Sequence, residues 1–171
     1  MSTILDIAAS GRLEKYDPEL PLRKQEERLV YFYPRVRDRI ERYVSSLESQ
    51  FENEITPEEQ LYTVLEIFCA GEVLEFERQF HVLRQAEHGV WELKTRDLRL
   101  FGWFPKQDVF IWTNIEAKSR LLAVRGLVEG YRNEAQHDRD LLDLDEPKFV
   151  PGDLPHVVVS NFRYPPPSFG R

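Results

Sequence analysis

Lys94, Arg96 and Arg99 fall within one short alternating stretch, Gly89-Val-Trp-Glu-Leu-Lys-Thr-Arg-Asp-Leu-Arg-Leu-Phe-Gly-Trp-Phe104. After Pro105-Lys-Gln-Asp108 comes a β-prone run, Val109-Phe-Ile-Trp-Thr113, and then Lys118 and Arg120. Lysines and arginines carried on adjacent strands suit phosphate chemistry, because they bring positive charge to an anion and N–H donors to its oxygens. Successive strand side chains face opposite sides, so Val90, Glu92 and Lys94 share one face while Trp91, Leu93 and Thr95 share the other. One face is apolar and the other is open to chemistry.

Positioning these cations takes a sheet. Arg96-Asp97 interrupts the alternation before Leu98, Leu100, Gly102 and Phe104 resume it, and Pro105 to Asp108 supply turn residues, which predicts an antiparallel meander. Phe80-His-Val-Leu-Arg84 is a further short strand candidate. Upstream, Arg28-Leu-Val-Tyr-Phe-Tyr33 is β-prone and stops at Pro34. Val36, Ile40, Tyr43, Val44, Leu47 and Phe51 then recur at helical spacing, with Arg35, Arg39, Glu41, Arg42 and Glu48 on a solvated outer face. Thr56-Pro57-Glu58-Glu59 carries a hydroxyl cap, a proline at the first helical position and a glutamate three residues after the cap. The helix it starts ends before Gly71 and buries Leu61, Val64, Leu65, Phe68 and Cys69. These two helices are expected to form an antiparallel hairpin.

After Asn114 the pattern turns helical through Leu121, Leu122, Val124, Val128 and Tyr131, weakened by Gly126 and Gly130. Residues 1–26, with Gly11, Pro18 and Pro21, read as an N-terminal extension. Residues 133–171 read as an acidic and then proline-rich C-terminal extension, with a β-prone Val157-Val-Val159 and the tail Pro165-Pro-Pro-Ser-Phe169. Residues 27–132 form the domain between them. The leucine-bearing acidic segment Asp138 to Glu146 is either a solvated linker or a strap lying across the basic block.

The chain has 171 residues and 42% hydrophobic content, enough for a real core and against wholesale disorder. Its net charge of -7 argues against a simple nucleic-acid binder. The charge is unevenly placed, however: residues 78–132 carry 10 basic and 6 acidic side chains, a +4 block inside an acidic chain. The single Cys69 lies in an apolar run and suits a buried small hydrophobe. His81, His88, His137 and His156 lack metal-ligand spacing, so no metal is expected. No apolar run of about 18 residues occurs and the N-terminus lacks a secretory pattern, so a cytoplasmic protein that avoids the membrane is expected.

The order strand, helix, helix, short strand, meander and terminal helix resembles the RelE/ParE toxin superfamily, including its HigB-like and phage-encoded branches. Its motif of glycine, aromatic, Glu-Leu-Arg, a short gap, Asp-Tyr-Arg and a hydrophobic residue is similar to Gly89 through Leu100, in a stretch beginning at Leu83. Leu98 stands where the family has tyrosine and Lys94 where it has arginine. The resemblance covers about residues 27–132. It implies an α+β, RelE-like fold: an N-terminal helical hairpin packed on a twisted, mainly antiparallel sheet of four to five strands, with a C-terminal helix.

The activity that resemblance implies is toxin activity, by messenger RNA cleavage or a block of translation, without metal or cofactor. The implied partners are a cognate antitoxin protein, mRNA and the ribosome. Lys94 and Arg99 correspond to motif cations and Lys118 falls near the family's basic pair after the last strand, which makes these three the candidate catalytic residues. Attack of a ribose 2′-hydroxyl on its phosphodiester needs proton transfer and stabilisation of charge on phosphorus, which lysine and arginine supply. Arg84, Arg96 and Arg120 are candidate RNA contacts. Trp103 and Trp112, like Phe101 and Phe110, suit stacking on an unpaired base or, the commoner fate, a core. The acid excess, the two extensions and the missing tyrosine support an alternative, a catalytically inactive protein-binding module of the same fold; a ParE-like gyrase inhibitor is a third reading left open by the same features.

Overall fold

The computed structural model describes residues 1–49 and 55–167. Thr3 starts the chain's first helix, α1 (Ile4–Ala9), through a reciprocal cap with Asp6. Strands β1 (Glu14–Lys15) and β2 (Leu29–Phe32) follow, and Pro34 ends β2 and opens α2 (Pro34–Arg42). The Thr56 hydroxyl accepts from the Glu59 amide at the head of α3 (Pro57–Cys69), a cap worth about 1 kcal/mol. Then come β3 (Leu74–Glu75), β4 (Phe80–Val82) and β5 (Trp91–Lys94). The long hairpin of β6 (Leu98–Lys106) and β7 (Val109–Ala117) is followed by α4 (Lys118–Ala123), α5 (Leu127–Leu141) and β8 (Phe162–Arg163).

The fold is α+β. Six strands make one mixed sheet in the order β1-β2-β7-β6-β5-β4, antiparallel except where β2 runs parallel to β7. A second, two-stranded sheet pairs β3 with β8. Helix α3 and the segment around α2 cover one face, where Val36, Leu61, Leu65 and Phe68 meet Trp91, Leu93, Leu98, Leu100, Phe104 and Trp112. Helix α5 covers part of the other, where Ala135 and Tyr131 meet Leu83, Val90 and Phe101.

Several expectations change. The main sheet has six strands rather than four or five, because residues assigned to the N-terminal extension supply β1. Ile7 and Leu13 are buried with Tyr31, Trp103, Leu142 and Leu144, so both extensions feed the core. Val158 and Val159 join it too, but Pro155–Val157 forms a 3-10 turn, and the strand falls later at Phe162–Arg163. Helix α2 ends at Arg42, short of the expected stripe through Phe51, and passes into a 3-10 turn, Val44–Ser46; Phe51 lies outside the described residues, as do Ser168 and Phe169 of the tail. The terminal helix is two helices, divided at Gly126, whose φ of 81° is a left-handed turn that side chains resist.

Candidate functional site

Cross-strand register assembles the site. His81, Glu92, Phe101 and Asn114 stand opposite one another across β4, β5, β6 and β7. Two residues along, Lys94, Arg99 and Glu116 form the next row on the same face. The turn between β5 and β6 is fixed from the other side of the sheet, where Gln60 of α3 donates to the Asp97 carboxylate at 2.6 Å and accepts from its amide at 3.1 Å. Ser49 also donates to that carboxylate, at 2.8 Å. The Lys118 amide donates to the Asp97 carbonyl at 2.7 Å, which brings the start of α4 beside this turn. Arg99 folds back over it, its guanidinium donating to the carbonyls of Thr95 at 2.6 Å and Leu98 at 2.9 Å.

An open pocket of about 580 Å3 lies here, lined by Arg78, Gln79, Lys94, Thr95, Arg96, Arg99 and Lys118. Five of the seven lining residues are cations and none is a carboxylate, the composition of a polyanion site. Lys94 is partly buried, and burial with the neighbouring Arg99 and Lys118 charges holds its amine below the usual lysine range against the pull of Glu92 and Glu77. Burial likewise lowers Arg99, opposed by Glu92 and Asp97. A lysine so placed gives up its proton more readily than a solvated one.

Behind Lys94 stands a pair that the sequence pattern alone does not disclose. His81 Nε2 lies 2.6 Å from Glu92 Oε1, and His81 Nδ1 lies 3.4 Å from Lys94 Nζ. The Glu92 side chain is buried and also sits 3.7 Å from Arg99 Nε. Glu92 shares the face of Lys94 by simple alternation, but His81 joins them only through the register of β4 on β5. Arg78, also outside the expected set, enters from the segment before β4.

Lys94, Arg96, Arg99 and Lys118 are thus brought together, and the other predicted residues are not. Arg84 lines a separate groove of about 290 Å3 with His81, Val82, Leu83, Val128, Glu129 and Arg132. Arg120 is turned to Glu116 at 3.4 Å. Trp103 and Trp112 are core residues rather than base-stacking surfaces: both are buried, with indole N–H groups donating to the carbonyls of Lys148 and Asn114. Their large apolar surfaces fill the two faces of the sheet and no base reaches them. The segment from Asp138 does not strap the pocket either, since Asp138 grips Arg35 at 2.6 and 3.0 Å and Leu142 and Leu144 are buried around Trp103. Arg35 and Arg39 therefore bridge α2 to α5 and β7 instead of lining a solvated face.

Glu116 anchors the floor beside Arg99. It is 1% exposed, and its carboxylate accepts from the Tyr43 and Tyr131 hydroxyls at 2.6 Å each, the Ala117 amide at 2.8 Å and Arg39 at 3.2 Å. Burial pushes this carboxyl up, but the tyrosines, the amide and Arg39 outweigh it and leave it below its ordinary value. Burial and Glu116 push Tyr43 up to about 12. Cys69 is fully buried, which also pushes its thiol up to about 12 and leaves it without nucleophilic character. Among the described residues no cluster of histidine, cysteine, aspartate or glutamate suits a metal, and no helix is long and apolar enough to cross a membrane. No protein-family model, no curated protein and no solved structure matches this chain.

Proposed function

We propose that the protein is a RelE-like effector that engages RNA in the pocket of Lys94, Arg96, Arg99 and Lys118 and cleaves it, or blocks its translation, with an antitoxin protein as its natural restraint. The observation that carries this reading is the convergence of five cations, with no carboxylate in the lining, around a partly buried lysine that has a histidine behind it. The order of elements from β2 through α5 also follows the order on which the resemblance rests, apart from the added two-residue β3 and a terminal helix divided in two. In this reading Arg99 and Lys118 neutralise charge on a phosphate, Lys94 moves a proton, and Arg78 and Arg96 hold the RNA backbone. None of these roles calls for a metal or cofactor.

One observation favours the alternative of an inactive binding module. The Arg99 guanidinium already serves the carbonyls of Thr95 and Leu98, a structural task that needs no substrate. Induced expression of wild type beside a Lys94→Ala/Arg99→Ala variant in a bacterial host separates the two readings. Growth arrest with cut messages in wild type alone supports the RNA-cleaving effector. Normal growth and intact messages with both proteins overturn it in favour of the binding module.

A further inference from the structure

The Glu92, His81 and Lys94 side chains form a line that descends from a buried carboxylate to the wall of the basic pocket. Glu92 Oε1 is an acceptor only, so the 2.6 Å contact requires the proton of His81 to sit on Nε2. In the neutral imidazole Nδ1 is then a lone pair, and the group it meets is the Lys94 amine, at 3.4 Å. The carboxylate thus selects the imidazole tautomer, as the aspartate of a serine protease triad does for its histidine.

We infer that Glu92 and His81 act as positioning residues for Lys94, with His81 Nδ1 aiming the amine into the pocket and taking protons from it. The inference deepens the RNA-cleaving reading above and rests on it. In the step served, a neutral Lys94 amine takes the 2′-hydroxyl proton as O2′ bonds to phosphorus. The P–O5′ bond breaks with its electron pair on O5′, which takes a proton from the Lys118 ammonium. The products are a 2′,3′-cyclic phosphate and a 5′-hydroxyl. Lys94 passes its proton through His81 to solvent and Lys118 regains one from solvent, so the protein ends as it began.

The charged groups that bear on this line come from every neighbouring element. Glu77, before β4, lies 3.9 Å from His81 Nδ1. Arg99 of β6 lies against Glu92, while Arg78, Arg96 and Lys118 share the pocket with Lys94. From the opposite side, Arg84 and, on α5, Glu129 and Arg132 share a groove with His81.

The test uses the full chain, as wild type, Glu92→Gln and His81→Asn. Nitrogen-15 spectra of the imidazole are expected to show the Nε2–H form of His81 in wild type and a shift toward Nδ1–H in Glu92→Gln, whose amide donates where the carboxylate accepted. The Lys94 amine, followed by its own resonances from about pH 6 to 11, is expected to titrate lower in both variants, having lost an acceptor or a nearby negative charge. A short RNA is expected to be cut about 10²-fold more slowly by both variants. Binding of its 2′-deoxy analogue should not change, a contrast that a merely structural role does not produce. An Nδ1–H tautomer in wild type, an unmoved Lys94 titration in both variants, or wild-type cleavage rates in both overturns the relay. Wild type that cuts no RNA while the resonances behave as expected overturns the RNA-cleaving reading and supports only the positioning of Lys94 by Glu92 and His81.

Discussion

Replacing Glu116 by glutamine tests whether the end of β7, from which Lys118 emerges, is held by one buried charge. The carboxylate accepts two short tyrosine hydrogen bonds and one from a main-chain amide, all in a site 1% exposed. A hydrogen bond to a charged acceptor contributes about 1.5–3 kcal/mol and one to a neutral acceptor about 0.5–1.5, so neutralising Glu116 costs about 1 kcal/mol for each tyrosine. The new amide also points N–H groups at donors, which adds about 1–3 kcal/mol. Arg39 and Arg120 are too exposed to add much. The expected loss is about 3–5 kcal/mol at neutral pH, or roughly 6–20 °C in Tm for a chain of this length.

The same substitution fixes the sign of a pH effect. Because the folded-state carboxyl lies below its ordinary value, its contribution is fully present above that ordinary value and is lost as pH falls through the lower, folded value. The gap in Tm between wild type and Glu116→Gln should therefore narrow as the pH is lowered to about 4 and beyond. Thermal unfolding followed by circular dichroism across that range is the assay. A shift under about 2 °C at neutral pH, or a gap equally wide in acid, would refute the argument that the charge holds the network.

Two further predictions follow from the geometry. Arg96 is exposed on the β5–β6 turn and lines the pocket, so Arg96→Gln should change stability by no more than about 0.5 kcal/mol. It should weaken RNA binding evenly across sequences and lower the slope of log K against log salt by about 0.7–1; an unchanged slope in fluorescence titrations would remove Arg96 from the interface. At Gly102 a Cβ would stand 2.0 Å from the Ile111 carbonyl oxygen and 2.7 Å from the Phe110 ring, so Gly102→Ala should cost more than about 3 kcal/mol by urea unfolding. A loss below about 1 kcal/mol would mean that β6 and β7 part without strain.

The β5–β7 meander was legible because alternation is a local code: Trp91 and Leu93 go to the core, and Glu92 and Lys94 to the opposite face. The Thr56 cap was legible for the same reason, since donor and acceptor are three residues apart. Strands β1 and β8 were not, because two residues show no period and become strands only by pairing with β2 and β3. The side of the sheet taken by Trp103 follows the alternation of β6, opposite Leu100 and Phe104, but its cover was hidden, because Ile7, Leu13 and Leu144 lie far away in sequence. The register shift between Phe101 and Gly102 falls on β7, where the extra residue Thr113 puts Trp112 and Ile115 on one face. His81 was missed as a site residue because nothing in its own neighbourhood marks it, and its partner lies eleven residues on, across a strand pairing.

Ser2 donates from its amide to the Asp143 carbonyl at 2.8 Å and accepts from the Asp145 amide at 2.9 Å. The opening residues are therefore tied to a segment made some 140 positions later. During synthesis, which proceeds at about 5–20 residues per second, Ile7 and Leu13 leave the ribosome many seconds before Leu142 and Leu144 exist to cover them. The earliest part of the chain is among the last to settle, and in that interval its bare apolar side chains are open to chaperones and to one another.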